Sequence, residues 1–173
     1  NSSLMEFGTH TNIAGIRGNG EIGHKIKDSL VRAVSMAKQY RQTETNTGRL
    51  VTNTGSLLWK IEPLEAEQAP SGYLKKVKVS IIAGNHDQPS PVQGLFVYAS
   101  TDATNPRQHI ITGQAVYGAG TVWLDLSRKI VSDSSDPERN DGEVSIWVEA
   151  SHGGTFDCMM ETWGRFLNIV KVV

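Results

Sequence analysis

Thr121-Val122-Trp123-Leu124-Asp125-Leu126 is the run on which the fold turns. Val122, Leu124 and Leu126 alternate with Thr121, Trp123 and Asp125. That is the period of two by which a β-strand buries one face and wets the other, and a helix would scatter the same three apolar residues around its girth. Outward from this run the zigzag recurs. Val77, Val79 and Ile81 alternate with Lys76, Lys78 and Ser80; Val144, Ile146 and Val148 alternate with Ser145, Trp147 and Glu149; Leu57, Trp59 and Ile61 alternate with Leu58, Lys60 and Glu62. Residues 95–99 and 166–173 are apolar on both faces, which places them centrally in a sheet or beneath another subunit. Residues 108–117 make a further strand, broken near Gly113. The connections 84–91, 101–106 and 132–142 are rich in turn-forming and polar residues. Seven or eight strands joined by long loops predict a mainly β chain, an antiparallel two-sheet sandwich with crossovers between sheets.

What precedes the strands is different. Residues 1–20 are rich in Gly, Asn and Thr and read as an extended arm. Ile22, Ile26, Leu30, Ala33, Val34, Ala37 and Tyr40 then recur at three- and four-residue steps, the stripe of one amphipathic helix. Its other face carries Lys25, Lys27, Arg32, Lys38 and Arg41 against a lone Asp28, a candidate surface for a genome or a membrane. A short repeat follows, Thr45-Asn46-Thr47-Gly48 and Thr52-Asn53-Thr54-Gly55, expected to form two successive turns. The organisation is thus an N-terminal arm and basic helix over 1–43 and a β-sandwich domain over 44–173. Residues 1–41 carry a net charge of +3 and the remainder −4, so a basic arm joins an acidic body within a chain of net charge −1.

Composition narrows the function classes. With 38% hydrophobic and 20% charged residues the 173-residue chain has the make-up of a globular domain. One cysteine, Cys158, excludes an intrachain disulfide and a thiolate zinc cluster. No run approaches the ~18 apolar residues of a membrane-spanning helix, so no transmembrane segment is expected, and no charged-then-apolar leader is visible.

Four strings invite chemistry, and each lacks what that chemistry needs. Gly84-Asn85-His86-Asp87 after a strand resembles one block of the calcineurin-like metallophosphoesterases, but a two-metal site needs further carboxylates and imidazoles upstream, where only Asp28 offers an aspartate. Gly18-Asn19-Gly20-Glu21-Ile22-Gly23 matches a dinucleotide fingerprint without the βαβ unit that gives it meaning. Ser151-His152-Gly153-Gly154, with Asp157 and Cys158 behind it, has no nucleophile elbow to serve, and a Cys158–His152 pair would need the fold to bring the two together. Asp133, Asp136, Glu138, Asp141 and Glu143 crowd the loop 133–143, where calcium is conceivable, but their spacing is not that of an EF-hand. No catalytic residue, cofactor or metal is assigned, and the chain is read as a non-enzyme.

The aromatic residues point elsewhere. By the alternation, Trp123 and Trp147 face away from the core beside Asp125 and Glu149, and Phe96 and Tyr98 share the face opposite Leu95, Val97 and Ala99. Outward tryptophans on two strands mark a surface meant to be covered, an interface or ligand platform made of Phe96, Tyr98, Trp123 and Trp147.

This layout, an N-terminal arm and basic helix followed by about eight strands with long loops, resembles the single jelly-roll viral capsid (coat) proteins. The resemblance lies in the architecture and carries no residue motif. It implies a jelly-roll sandwich and a structural protein of the virion, assembled in the host cytoplasm or nucleus. It further implies self-assembly into an icosahedral shell through sandwich faces, loops and arm. The partners would be copies of itself and a second capsid protein, with nucleic acid or an inner membrane against the N-terminal helix. The alternative is a carbohydrate-binding module or lectin-like β-sandwich that stacks sugars on the same aromatics, with Asn85, Asp87 or the acidic loop 133–143 holding hydroxyls.

Overall fold

The computed structural model describes residues 41–64, 71–83, 92–131 and 141–173. The expected helix over 22–40, its cations Lys25, Lys27, Arg32 and Lys38, the Gly84–Asn85–His86–Asp87 string and most of the acidic loop lie outside them. No α-helix occurs among the described residues.

Nine strands occur among the described residues: β1 (Arg41–Val51), β2 (Ser56–Pro63), β3 (Gly72–Ala83), β4 (Gly94–Ser100), β5 (Ile110–Tyr117), β6 (Gly120–Ile130), β7 (Val144–Ala150), β8 (Gly154–Arg165) and β9 (Leu167–Lys171). Sheet 1 has the order β1-β8-β3-β6 and sheet 2 the order β5-β4-β7-β2-β9, with antiparallel pairing throughout. Four of the pairs are β1·β8, β2·β7, β3·β6 and β4·β5. The first eight strands are therefore one long hairpin, bent between β4 and β5 and rolled so that successive rungs fall in alternate sheets. The inner faces meet in a single core that includes Trp59, Ile61, Val77, Val79, Leu124, Ile146, Val148, Phe156 and Met160. Two layers, each apolar on one side, reach stability only by facing one another.

Several expectations need correcting, each for a local reason. Arg41 begins β1 and pairs with Trp163, so it sits on a strand and not on a helix face. The first Thr-Asn-Thr-Gly copy lies inside β1, where the register shifts between Asn46 and Arg49 and Gly48 takes a positive φ of 65°. Asn46 is buried there, its Nδ2 donating to the carbonyls of Leu58 (3.0 Å) and Val172 (2.9 Å). The second copy does form the turn between β1 and β2, with Gly55 at φ 106°. In β2 a bulge between Leu57 and Trp59 buries Leu58 and Trp59 together and leaves Leu57 half-buried, against strict alternation.

Residues 108–117 contain an unbroken β5 from Ile110, preceded by a 3-10 turn at Pro106–His109. Gly113 does not break the strand; a Cβ there would lie 2.5 Å from Phe96 Cζ, so the glycine makes room for a cross-strand ring. Of the two doubly apolar runs, β4 is central in sheet 2, whereas β9 lies at its edge. β9 gets there because the chain leaves sheet 1 at Phe166, whose φ is 54°. Behind that corner Gly164 packs so tightly that a Cβ would stand 2.4 Å from the Tyr73 carbonyl oxygen.

Candidate functional site: two aromatic faces

The sandwich exposes two sheet faces, and the four expected aromatics divide between them. Phe96, Tyr98 and Trp147 share the outer face of sheet 2, while Trp123 stands on the outer face of sheet 1. They form no single platform.

On sheet 2, register places Tyr98 opposite Trp147 and Phe96 opposite Glu149. Tyr98 is stacked between Phe96 (centroids 5.1 Å apart) and Trp147 (6.4 Å), and it is 0% exposed. The indole N–H of Trp147 donates to Ser145 Oγ at 2.9 Å, leaving its ring free to pack. The chain itself closes this face. The stretch between β4 and β5 is pinned by Ser100, whose hydroxyl donates to the carbonyls of Pro106 (2.8 Å) and His109 (3.0 Å). Asp102 accepts from the backbone N–H and the hydroxyl of Thr104, both at 2.8 Å, and these bonds hold its carboxyl below the usual aspartate range. The stretch so fixed presents Arg107, which grips Glu149 through Nε (2.7 Å) and Nη2 and lies 5.4 Å over the Phe96 ring. Burial and then the charge of Glu149 push the Tyr98 hydroxyl up to about 12. A sugar ring finds no open Tyr98 face here.

On sheet 1 no described residue closes the matching face. Arg41, Trp163, Lys76 and Asp125 lie in one cross-strand row, and Thr43, Glu161, Lys78 and Trp123 in the next. The Trp123 and Trp163 rings meet at 5.3 Å, tilted by 34°. Lys76 Nζ lies 5.0 Å from the Trp123 centroid and 5.2 Å from that of Trp163, while Lys78 (5.5 Å) and Arg41 (5.5 Å) each flank one ring. Glu161, buried in their midst, pairs with Arg41 and lies 3.4 Å from Lys78, and the hydrogen bond from Arg41 holds its carboxyl below the usual glutamate range. Trp123 remains 47% exposed.

Sequence reading missed Trp163, Glu161 and the part played by Lys76 and Lys78, because β8 was not seen as a strand. Its signal was present: Phe156, Cys158, Met160 and Thr162 face in and are buried, with Asp157, Met159, Glu161 and Trp163 between them. Inward Thr162 and Gly164 blur that alternation.

The hydrolase string resolves into structure. Ser151 and His152 make the β7–β8 turn, where Ser151 Oγ and His152 Nδ1 are 3.1 Å apart and Gln93 ties the turn down, accepting from the His152 N–H (2.6 Å) and donating to the Gly153 carbonyl (2.8 Å). Cys158 belongs to the core, and burial pushes its thiol up to about 12, so it is neither a thiolate nor within the turn. Among the described residues, no three His, Cys, Asp or Glu side chains gather where a metal ion could be held, and no helix is long and apolar enough to cross a membrane.

No family model matches the chain, and no curated protein matches it. Among solved structures it is similar to a chain from the structure of black queen cell virus, with a TM-score of 0.40 and 8% identity over 79% of this chain and 65% of that one. It is also similar to the tobacco streak virus coat protein, with a TM-score of 0.30 and 7% identity over 73% of this chain and 88% of that one. The chain spans 65% of the length of the first, and at these identities no residue of either is carried over.

Proposed function

We propose that this chain is a structural viral coat protein of the single jelly-roll type, which assembles with copies of itself into the shell of a virion. The observation that carries the reading is where its apolar surface lies. Among the described residues the exposed large apolar side chains are Leu50, Ile82, Val92, Tyr117, Trp123 and Val173. Leu50 and Ile82 lie at the ends of β1 and β3, and Tyr117 at the end of β5 beside Val92, so all four collect at the end of the sandwich bearing the β1–β2, β5–β6 and β7–β8 turns. A monomer gains nothing by gathering apolar groups around one end, whereas a copy or neighbour docked there removes them from water at about 25 cal/mol per Å². The winding of strands into pairs β1·β8, β2·β7, β3·β6 and β4·β5 is that of the jelly rolls found in capsid and lectin domains alike, so the surface and not the fold decides between them.

In this reading the turns at that end make the contacts around shared axes, closed symmetry ties like patches together, and residues 1–40 reach neighbours. An icosahedral shell, a second coat protein beside this one and a purely non-catalytic role belong to the same proposal. Sedimentation velocity and negative-stain imaging of the purified chain test it. Large closed particles, or oligomers that grow with concentration and vanish when Leu50 and Tyr117 are both changed to Ser, are the expected result. A chain that stays monomeric at every concentration overturns it.

A further inference from the structure

We infer that the outer face of sheet 1 is a binding surface for single-stranded nucleic acid, with Trp123 and Trp163 as the stacking platform and Arg41, Lys76 and Lys78 as phosphate contacts. The inference deepens the coat-protein reading by naming what a shell would hold against this face, and rests on that reading for its purpose alone.

The first support is charge. The chain as a whole carries −1. Yet the two rows described hold three cations against Asp125 and Glu161, and one row further on Tyr73 sits between Arg165 and Lys129. Leu74 of the adjoining register is buried, so Tyr73, Arg165 and Lys129 point outward with the others. A positive face on an acidic body is a local arrangement, and it selects a polyanion.

The second support is the mixing of cations with indoles. Lysines whose only task was to keep a sheet face wet would not need two tryptophans between them. Here Lys76 bridges both rings and Trp123 keeps nearly half its surface in solvent. Aromatic faces set in a cationic surface are how proteins hold unpaired bases while their phosphates are neutralised. A duplex offers no free base faces, and a broad sheet face does not enter a groove. The sheet 2 face lacks these properties, since its central ring, Tyr98, is buried and the Arg107–Glu149 pair lies over its aromatics.

The test is fluorescence anisotropy of the full chain with a labelled oligothymidylate of about 20 nucleotides, longer than the ~4–16-nucleotide footprints usual for such platforms. Binding should weaken about tenfold in Trp123→Ala and be largely restored in Trp123→Phe, which keeps a ring to stack upon. Lys76→Gln with Lys78→Gln should flatten the salt dependence by about 0.7 of a log unit per lost phosphate contact. Each variant is run beside sedimentation. No binding with assembly intact overturns this face and leaves the coat reading standing; binding with no assembly does the reverse. Equal affinity for a duplex of the same length overturns the inference in favour of a plain polyanion surface, as does heparin bound equally by the native chain and Trp123→Ala. Loss of oligothymidylate binding only on self-association makes the face a contact between copies, and overturns it too.

Discussion

The outer faces of the two sheets use the same kinds of residue and reach opposite states. Each has paired aromatics, an arginine and a glutamate with little of its side chain in solvent. On sheet 2 the arginine arrives from above, on the stretch between β4 and β5, so Arg107 and Glu149 close over Phe96 and Tyr98. On sheet 1 Arg41, Lys76 and Lys78 rise from the strands themselves and lie among the rings, and nothing within the described residues crosses above Trp123. The lesson is that an outward aromatic on a strand does not by itself mark a binding surface. What decides is whether the chain spends a connection on covering it.

Substitutions at matched positions sharpen this contrast. The largest effect is expected at Tyr98, which is core in all but direction: Tyr98→Ala should cost about 3–5 kcal/mol in urea or thermal unfolding, as large aromatic truncations do. Trp123→Ala should cost under about 1 kcal/mol, since half its surface is already wet. Similar losses at the two sites would break the comparison. Next comes Gly113→Val, which drives its side chain into the Phe96 ring and should destabilise by about 1–3 kcal/mol, with a shift in near-ultraviolet circular dichroism as the stack is displaced.

A pH effect follows. Tyr98 keeps its proton up to about 12 when folded, while the unfolded chain releases it near the ordinary 10.0, so the folded state binds the extra proton between them and stability falls as pH rises through that window. The slope for one proton is at most about 1.4 kcal/mol per pH unit. Cys158 adds a fall of the same sign that starts near its ordinary 9.0, so the measurement belongs in a Cys158→Ala background, where Tyr98→Phe should remove the remaining slope. The smallest effect is Arg107→Ala. An ion pair with one partner this exposed contributes about 0.2–1 kcal/mol, but acrylamide should quench Trp147 more readily once the lid lets go.

How much of this could be read in the residues depended on how regular each strand is. β3, β6 and β7 announce themselves because the runs 77–81, 122–126 and 144–148 within them alternate apolar with other residues without a break. β1 was hidden by its polar sequence and by a bulge that makes Thr45-Asn46-Thr47-Gly48 look like a turn, and β8 by a glycine and a threonine on its buried side. The outward direction of Phe96, Tyr98, Trp123 and Trp147 was legible from period two. Their division between two sheets was not, since alternation tells which side of a strand is buried and says nothing of which sheet the strand joins. Nor was the lid legible, because Arg107 reaches Glu149 across 42 residues of chain.

The rolled hairpin also sets a timetable. The strand emerging first in the described body, β1, has β8 as its ladder partner, so its hydrogen bonds wait until residue 163 and its neighbours have been made. Translation runs at about 5–20 residues per second, which leaves β1 unmatched for several seconds as the ribosome completes the partner. Closure of so distant a pairing is slow even afterwards. A polar, threonine-rich β1 is the composition that best survives such a delay without sticking to its neighbours on the same message.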